Sequence, residues 1–560
     1  MTFHNDRASV ERKSINGEVR EAGLEAGLPS PTDGYGETKN DVNDMLRLGK
    51  KQEFKRNFSL ISTLGFISIY MATWEFVLVS LSVGLINGGF AGLFWVFIGT
   101  VICYSSIVAS LAEMESMAPT SGGQYHWVSE FSPPKYQKFL SYTAGWMSSL
   151  GWIASFASSV FVLATLVEAI IDIRNADFLF SSWQYTLIMI AYLLITIVFN
   201  TWGARLLPVI ETTSLFGHLA GFLITIIPLW VMAPKNSTRS VFLDVINNGG
   251  WSNTGTSCLI AQVSVMYCNL GESLKSRIVE LSLVSWLIKW GHIGSDSAVH
   301  ISEEVEDASI NVPRAMWWSY ILNVFLGIIT LVTMLFCIGP LDAAIESPAP
   351  YLSLFLNTGS EAMATALMII LLILVFSGNI TALATTSREL WAFSRDKGFP
   401  CSPWISKMNH KLNIPPNAIY LTSILTLLLC LINFGSSFAF NIVVSLSLLA
   451  LLSTYMISIG CVLLKRIQGK SLPPARWSLG RFGLPINAFA FAYCGFVMVW
   501  SCFPNEAPVT LGNANWAPAV WFAVIVIAGV IYIVHGRKHY TPPVVFVKGR
   551  GDSETLQAVD

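Results

Sequence analysis

Charge is what this sequence has least of. Asp, Glu, Lys and Arg make up 12% of its 560 residues, and apolar residues make up 53%. Soluble domains carry about 25% charged residues, so a soluble enzyme with a single anchor is excluded. Basic and acidic residues nearly cancel, 34 against 35, which leaves no positive field for a nucleic-acid partner. Cysteine is present nine times, but without metal or disulfide spacing. Cys103, Cys258, Cys337, Cys430, Cys461 and Cys494 sit in apolar runs, where cysteine acts as a small hydrophobe. No nucleophile elbow, supported carboxylate pair or Gly-rich phosphate signature occurs, and no strand precedes Gly122-Gly123, which suit a tight turn. Neither catalysis nor a metal or cofactor is expected. The long polar N-terminus does not read as a cleavable signal peptide. No ring-forming filter motif suggests a channel.

What the chain does have is long apolar runs. They fall at about 58–83, 91–113, 139–170, 184–201 and 207–232, and, after a polar loop, at about 257–270, 315–338, 362–386, 417–434, 437–464, 484–503 and 516–535. A spanning helix needs about 20 apolar residues, so about twelve such helices are predicted in an all-α polytopic membrane protein. The divisions are 1–56, 57–253, 254–464, 465–536 and 537–560. The first is rich in charge, Gly, Pro and Asn without apolar periodicity, and is expected to be a disordered tail. The last is expected to be a second tail. The two middle sets each begin with an interrupted helix, the pointer to an inverted-repeat transporter with its site between the breaks.

Lys and Arg set the orientation. Arg47, Lys50, Lys51, Lys55 and Arg56, then Lys135 and Lys138, Arg205, the basic residues from Arg388 to Lys411, and those from Lys465 to Arg481 all fall on one side. Arg174, Lys235 and Arg239 fall on the other, which places both tails in the cytoplasm. Asn236-Ser237-Thr238 then lies outside as a glycosylation acceptor.

Within the first apolar run stands a carboxylate, Glu75. A charge at that depth costs about 2.5–3.5 kcal/mol on insertion scales and marks a functional site unless it is paired structurally within the bundle. Ala72-Thr73-Trp74-Glu75 reads as the break of a discontinuous helix, where backbone groups and one carboxylate meet a small polar substrate. Glu75 would face an ammonium. Trp74 would cover it, or offer its ring face to a quaternary amine, or simply pack. Glu211 and His218, seven residues apart, share a helix face and form either a proton relay or an inter-helix structural pair. Glu303 and Glu304 with Arg388 suggest an inner gate, against an ordinary solvated loop. His300 reads as a packed or hydrogen-bonded residue and not as a ligand.

Three stretches resemble the amino acid–polyamine–organocation superfamily: SLAEMESMAPTSGGQYHW at Ser110–Trp127, SDSAVHISEEVEDASINVPRAM at Ser295–Met316, and ATTSRELWAFSRDKGFP at Ala384–Pro400. Within it the chain is most similar to the fungal amino acid/choline transporter group, with its GABA and choline permeases. The resemblance implies a LeuT-type fold of 5+5 inverted repeats plus two helices. It implies proton-coupled or exchange transport of small amines and zwitterions. It assigns substrate contact to Ala72, Thr73, Trp74 and Glu75 at the first break, and to Cys268, Asn269, Leu270, Gly271, Ser295 and Asp296 at the second. GABA-like amino acids are the first expectation. Choline, export of a nitrogen-containing metabolite, and a nutrient sensor without flux are the alternatives. The plasma membrane is the expected location, the vacuolar membrane the alternative; the oligomeric state is open.

The chain departs from that pattern at one place. Where the family runs from Asn269-Leu270-Gly271 directly into Ser295-Asp296, about 23 residues, Glu272–Gly294, intervene. Their apolar core, Ile278–Ile288, is too short to span a bilayer. If it did span, every later basic loop would move outside. The segment divides into whole codons and repeats Gly271 as Gly294 at the join, as a retained intron would; a genuine insertion is the alternative.

Overall fold

The computed structural model describes residues 37–79, 82–175, 180–266, 294–347, 349–435, 437–510 and 514–546. Cys268, Asn269, Leu270, Gly271 and nearly all of the suspected insertion lie outside them. Helices account for almost all regular structure: α1 (Lys39–Arg47), α2 (Leu60–Met71), α3 (Thr73–Val79), α4 (Ser82–Met117), α5 (Gly123–Phe131), α6 (Pro134–Asp172), α7 (Ser182–Thr201), α8 (Leu207–Met232), α9 (Thr254–Met266), α10 (Ala308–Cys337), α11 (Glu361–Arg395), α12 (Pro416–Gly435), α13 (Ser437–Ile467), α14 (Gly483–Trp500) and α15 (Ala517–Ile531). Among the described residues, strand pairing is limited to the isolated bridges Phe58–Val305 and Asn409–Ile414. Among the described residues, eleven stretches are long and apolar enough to cross a membrane.

Local chemistry sets the helix ends. Ser59 caps α2 by accepting from Ser62 N, and Ser181 closes a capping box with Gln184 at α7. Pro134 sits in the first turn of α6, where its missing N–H costs nothing. Gly123 holds φ +51 in the turn before α5, a conformation open to glycine without a Cβ penalty.

The first apolar run is broken as its sequence suggests. Ala72, a non-glycine residue, lies in the left-handed region at φ 40, ψ 43, and ends α2; α3 restarts at Thr73. Left-handed backbone costs an L-residue about 1–2 kcal/mol, so the packing around it must hold it there. One anchor is visible: Asn323 Oδ1 on α10 accepts from the freed Thr73 N–H at 3.1 Å. In the second half, the described chain leaves α9 at Met266 and resumes at Gly294, followed by a short 3₁₀ helix, Ser297–Glu304. The two long helices α6 and α11 pack against each other; α4 packs on α9 and α10, and α2 packs on α8 and α10.

Part of the expected N-terminal tail is ordered. Residues 37–56 lack apolar periodicity, the mark of a disordered segment, yet they form α1 and a strap across the basic end of the bundle. Thr38 and Asp41 close a capping box on α1. Both Asp41 oxygens also cap α10 from a distance, accepting from Asp307 N at 2.9 Å and Ala308 N at 3.0 Å. Phe54 packs edge-on against Trp391 at 4.7 Å. At the other end of the chain, Tyr540 is buried and its hydroxyl lies 2.6 Å from Ser141 Oγ, so the second expected tail is also packed at its start.

Candidate functional site

The break at Ala72 places Thr73, Trp74 and Glu75 in the interior, each fully buried. Glu75 points at α8: its Oε1 lies 2.7 Å from His218 Nδ1. Trp74 reaches the same atom, with Nε1 at 3.1 Å from Nδ1, and packs edge-on to Phe222. Glu75 Oε2 and His218 Nε2 are buried and without a hydrogen-bond partner. Glu211 occupies the same buried face of α8 as His218, but its Oε1 accepts from Thr381 on α11 at 2.9 Å. The predicted shared face is therefore present, while the partner of His218 is Glu75.

At the second break, Ser295 and Asp296 are fully buried. Asp296 accepts from Tyr455 OH at 2.7 Å and from Gln124 Nε2. Tyr70, just before the first break, bonds Ser155 Oγ at 3.1 Å and touches the Gly294 backbone, so the two interrupted segments adjoin through its ring. A cavity beside the first break, lined by Ile69, Tyr70, Ala72, Phe76, Ser159, Val375 and Gly378, has about 10 Å³ of room, close to what one water needs.

His300 is buried and hydrogen-bonded. Its Nδ1 lies 3.1 Å from Ser121 O and 3.0 Å from Glu389 Oε2, and Trp152 stands edge-on to its ring. Nothing in the sequence pairs His300 with Glu389, 89 residues apart by the numbering, because the contact joins two separate elements.

Below these groups lies a layer of buried ion pairs. Arg395 grips Glu303 with two bonds, 2.7 and 2.8 Å, and Arg388 Nε donates to Glu304 Oε1 at 2.8 Å. All three gate candidates, Glu303, Glu304 and Arg388, are buried, so the solvated-loop reading does not hold; Arg314 stays exposed. The strap completes the layer. Lys50 pairs with Asp396, which also accepts from Tyr125 OH at 2.9 Å. Burial pushes the Lys50 ammonium down from its usual range, and Asp396 pulls it partly back. Arg56 lies 3.3 Å from Asp41 and donates to the carbonyls of Ser302 (3.0 Å) and Val305 (2.6 Å).

Asn236, the glycosylation candidate, uses its amide structurally. Nδ2 donates to both Leu335 O and Gly339 O at 2.8 Å, and a glycan on that nitrogen would displace one of the bonds. Among the described residues no cluster of His, Cys, Asp and Glu has the makings of a metal site.

The family model for amino acid permeases matches residues 58–530. An uncharacterised amino-acid permease of Schizosaccharomyces pombe is 29% identical over 515 residues, covering 90% of each chain. A choline transporter of Saccharomyces cerevisiae is 26% identical over 491 residues, 87% of this chain and 82% of the relative. Among solved structures, a manganese transporter of Eremococcus coleocola aligns over 92% of this chain and 98% of its own with a TM-score of 0.51 at 11% identity, which speaks to the fold alone. Eleven apolar helices among the described residues, the interrupted first helix and this match across most of the chain agree: the protein belongs to the amino acid permease family, and is a multi-pass membrane transporter of the LeuT-type fold.

Proposed function

We propose that the protein is a secondary active, proton-coupled transporter of small amino compounds, with GABA-like amino acids first and choline second. The observation that carries this is Glu75: a fully buried carboxylate two residues beyond the start of a half-helix, with one oxygen unpartnered among the described residues. A carboxylate held at membrane depth beside freed backbone groups suits a cationic nitrogen. The start of α3 offers N–H groups and a partial positive charge, which suit the carboxylate of a zwitterion. Asp296 on the second interrupted segment is a further polar contact, and Glu211 and His218 are the candidates for carrying protons. Choline stays as the second reading because a relative over most of the chain bears that name.

The test is flux in yeast lacking its own amine permeases, with labelled GABA and with choline, proline and polyamines as competitors. Saturable GABA entry blocked by amino acids and not by choline supports the first reading. Choline entry without GABA entry shifts the assignment to quaternary amines. Net efflux from loaded cells supports an exporter, and binding without flux supports a sensor.

A further inference from the structure

His218 Nδ1 is a single atom with two claimants. Glu75 Oε1 lies 2.7 Å from it and Trp74 Nε1 lies 3.1 Å from it. An imidazole nitrogen either carries a hydrogen and donates, or offers one lone pair and accepts. Trp74 Nε1 only donates. A proton shared between Nδ1 and Glu75 therefore denies Nδ1 to Trp74, and an Nδ1 that accepts from Trp74 has released Glu75. The two bonds belong to two states of one site.

Charge balance says what switches it. Among the described residues, the elements packed against α3 and α8 bring no fixed cation to Glu75; Arg205, on the short turn Ala204–Leu206 before α8, is exposed. Tyr70 is the ionisable residue of α2, and Tyr351 that of the short helix Pro350–Leu356. On α10 they are Arg314, which is exposed, Tyr320 and Cys337; on α11 none lies between Glu361 and Arg388. On α8 itself Glu211 lies two turns away on Thr381. An ionised Glu75 beside a neutral His218 would be a bare buried charge, which is strongly disfavoured. The pair thus keeps one proton, wherever it sits between Oε1 and Nδ1.

We propose that Glu75, His218 and Trp74 form an exchange site, in which the substrate's cationic nitrogen and one proton compete for Glu75 and Trp74 takes over His218 when the proton leaves. This rests on the reading of Glu75 as the contact for a cationic substrate. When an ammonium donates to the Glu75 carboxylate, the Nδ1–H bond breaks and the proton passes to water admitted with the substrate. Nδ1 keeps the electron pair and accepts from Trp74 Nε1–H, and the remaining imidazole proton sits on Nε2. Net charge at the site is the same before and after. With a quaternary amine the carboxylate faces the cation without a hydrogen bond, and the proton leaves by the same charge rule. Coupling at this site is exchange: substrate in, proton out.

The experiment measures KM for labelled GABA and choline between pH 5 and 7.5, where both keep a cationic nitrogen. Wild type should show KM rising with acidity, by about tenfold per pH unit below the point at which the pair takes up its proton, as linked binding of one proton requires. His218→Gln should move the pH at which KM begins to rise, because Glu75 must then hold the proton without its imidazole partner, and His218→Asn serves if that variant is lost from the surface. A wild-type KM that falls or stays level on acidification overturns the proposal, as does an unchanged pH dependence in His218→Gln. A second readout needs no substrate: the infrared difference spectrum of the purified full chain between pH 5 and 8. One titrating carboxyl–imidazole signal should vanish in both Glu75→Gln and His218→Gln. A signal that survives in either variant overturns the shared proton. Absence of GABA and choline flux with that shared signal present would fault the substrate reading and not the proton site.

Discussion

Glu75 is fully buried one turn beyond a left-handed alanine, and among the described residues its hydrogen-bond partner is a histidine that a tryptophan also claims. Removing the indole N–H tests that second claim. Trp74→Phe keeps an aromatic ring against Phe222 and loses one neutral hydrogen bond, about 0.5–1.5 kcal/mol. The expected outcome is a rise in substrate KM of about two- to tenfold with unchanged surface expression, measured by uptake kinetics. An unchanged KM would mean that Trp74 only packs. Glu75, Trp74, Glu211 and His218 were each legible in the sequence, because ionisable and amphipathic residues stand out in an apolar run. Which of them meet was not. A spacing of seven puts Glu211 and His218 on one face of α8, but periodicity within a helix says nothing about the neighbour across from that face. The neighbour opposite His218 is α3 and the neighbour opposite Glu211 is α11.

At the scale of elements, the break between α2 and α3 was readable and the strap was not. The break announced itself as a polar cluster inside a hydrophobic run. Its backbone can be tested directly. Ala72→Gly removes the left-handed penalty and should raise thermal stability by about 1 kcal/mol or leave it unchanged, in a fluorescence-based melt of the purified protein. Ala72→Val should lower it clearly. The strap escaped because residues 37–56 have the composition of a disordered segment. Their order comes from partners far along the chain: Asp41 on the start of α10, Arg56 on the carbonyls of Ser302 and Val305, and Lys50 on Asp396. Lys50→Ala would leave Asp396 buried with Tyr125 as its remaining donor. Breaking a buried pair from one side costs about 3–5 kcal/mol, so a marked drop in melting temperature is expected. The double change Lys50→Ala with Asp396→Asn should recover part of the loss. Equal stability of wild type and Lys50→Ala would show that the strap is dispensable.

At the scale of the molecule, a polytopic helical membrane protein was legible in composition alone, and the basic residues predict its orientation. The structure gathers those basic segments and their acidic partners into one buried layer, with Arg395 on Glu303 and Arg388 on Glu304. The 23-residue departure from the family pattern at 272–294 interrupts the second broken segment. Under the retained-intron reading, a chain without those residues should reach the surface and transport at least as well as the full chain. Transcripts that all contain the 23 codons, together with loss of flux on their removal, would make the insertion a genuine part of the protein. The central claim is that the substrate's cationic nitrogen is read by the carboxylate at the first break. Its most direct measurement is labelled GABA and choline uptake by Glu75→Gln beside wild type, with surface expression quantified in the same cells. Near-complete loss of uptake at normal surface expression is the predicted result. Wild-type-like uptake by Glu75→Gln would contradict the account and make Glu75 a structural partner of His218.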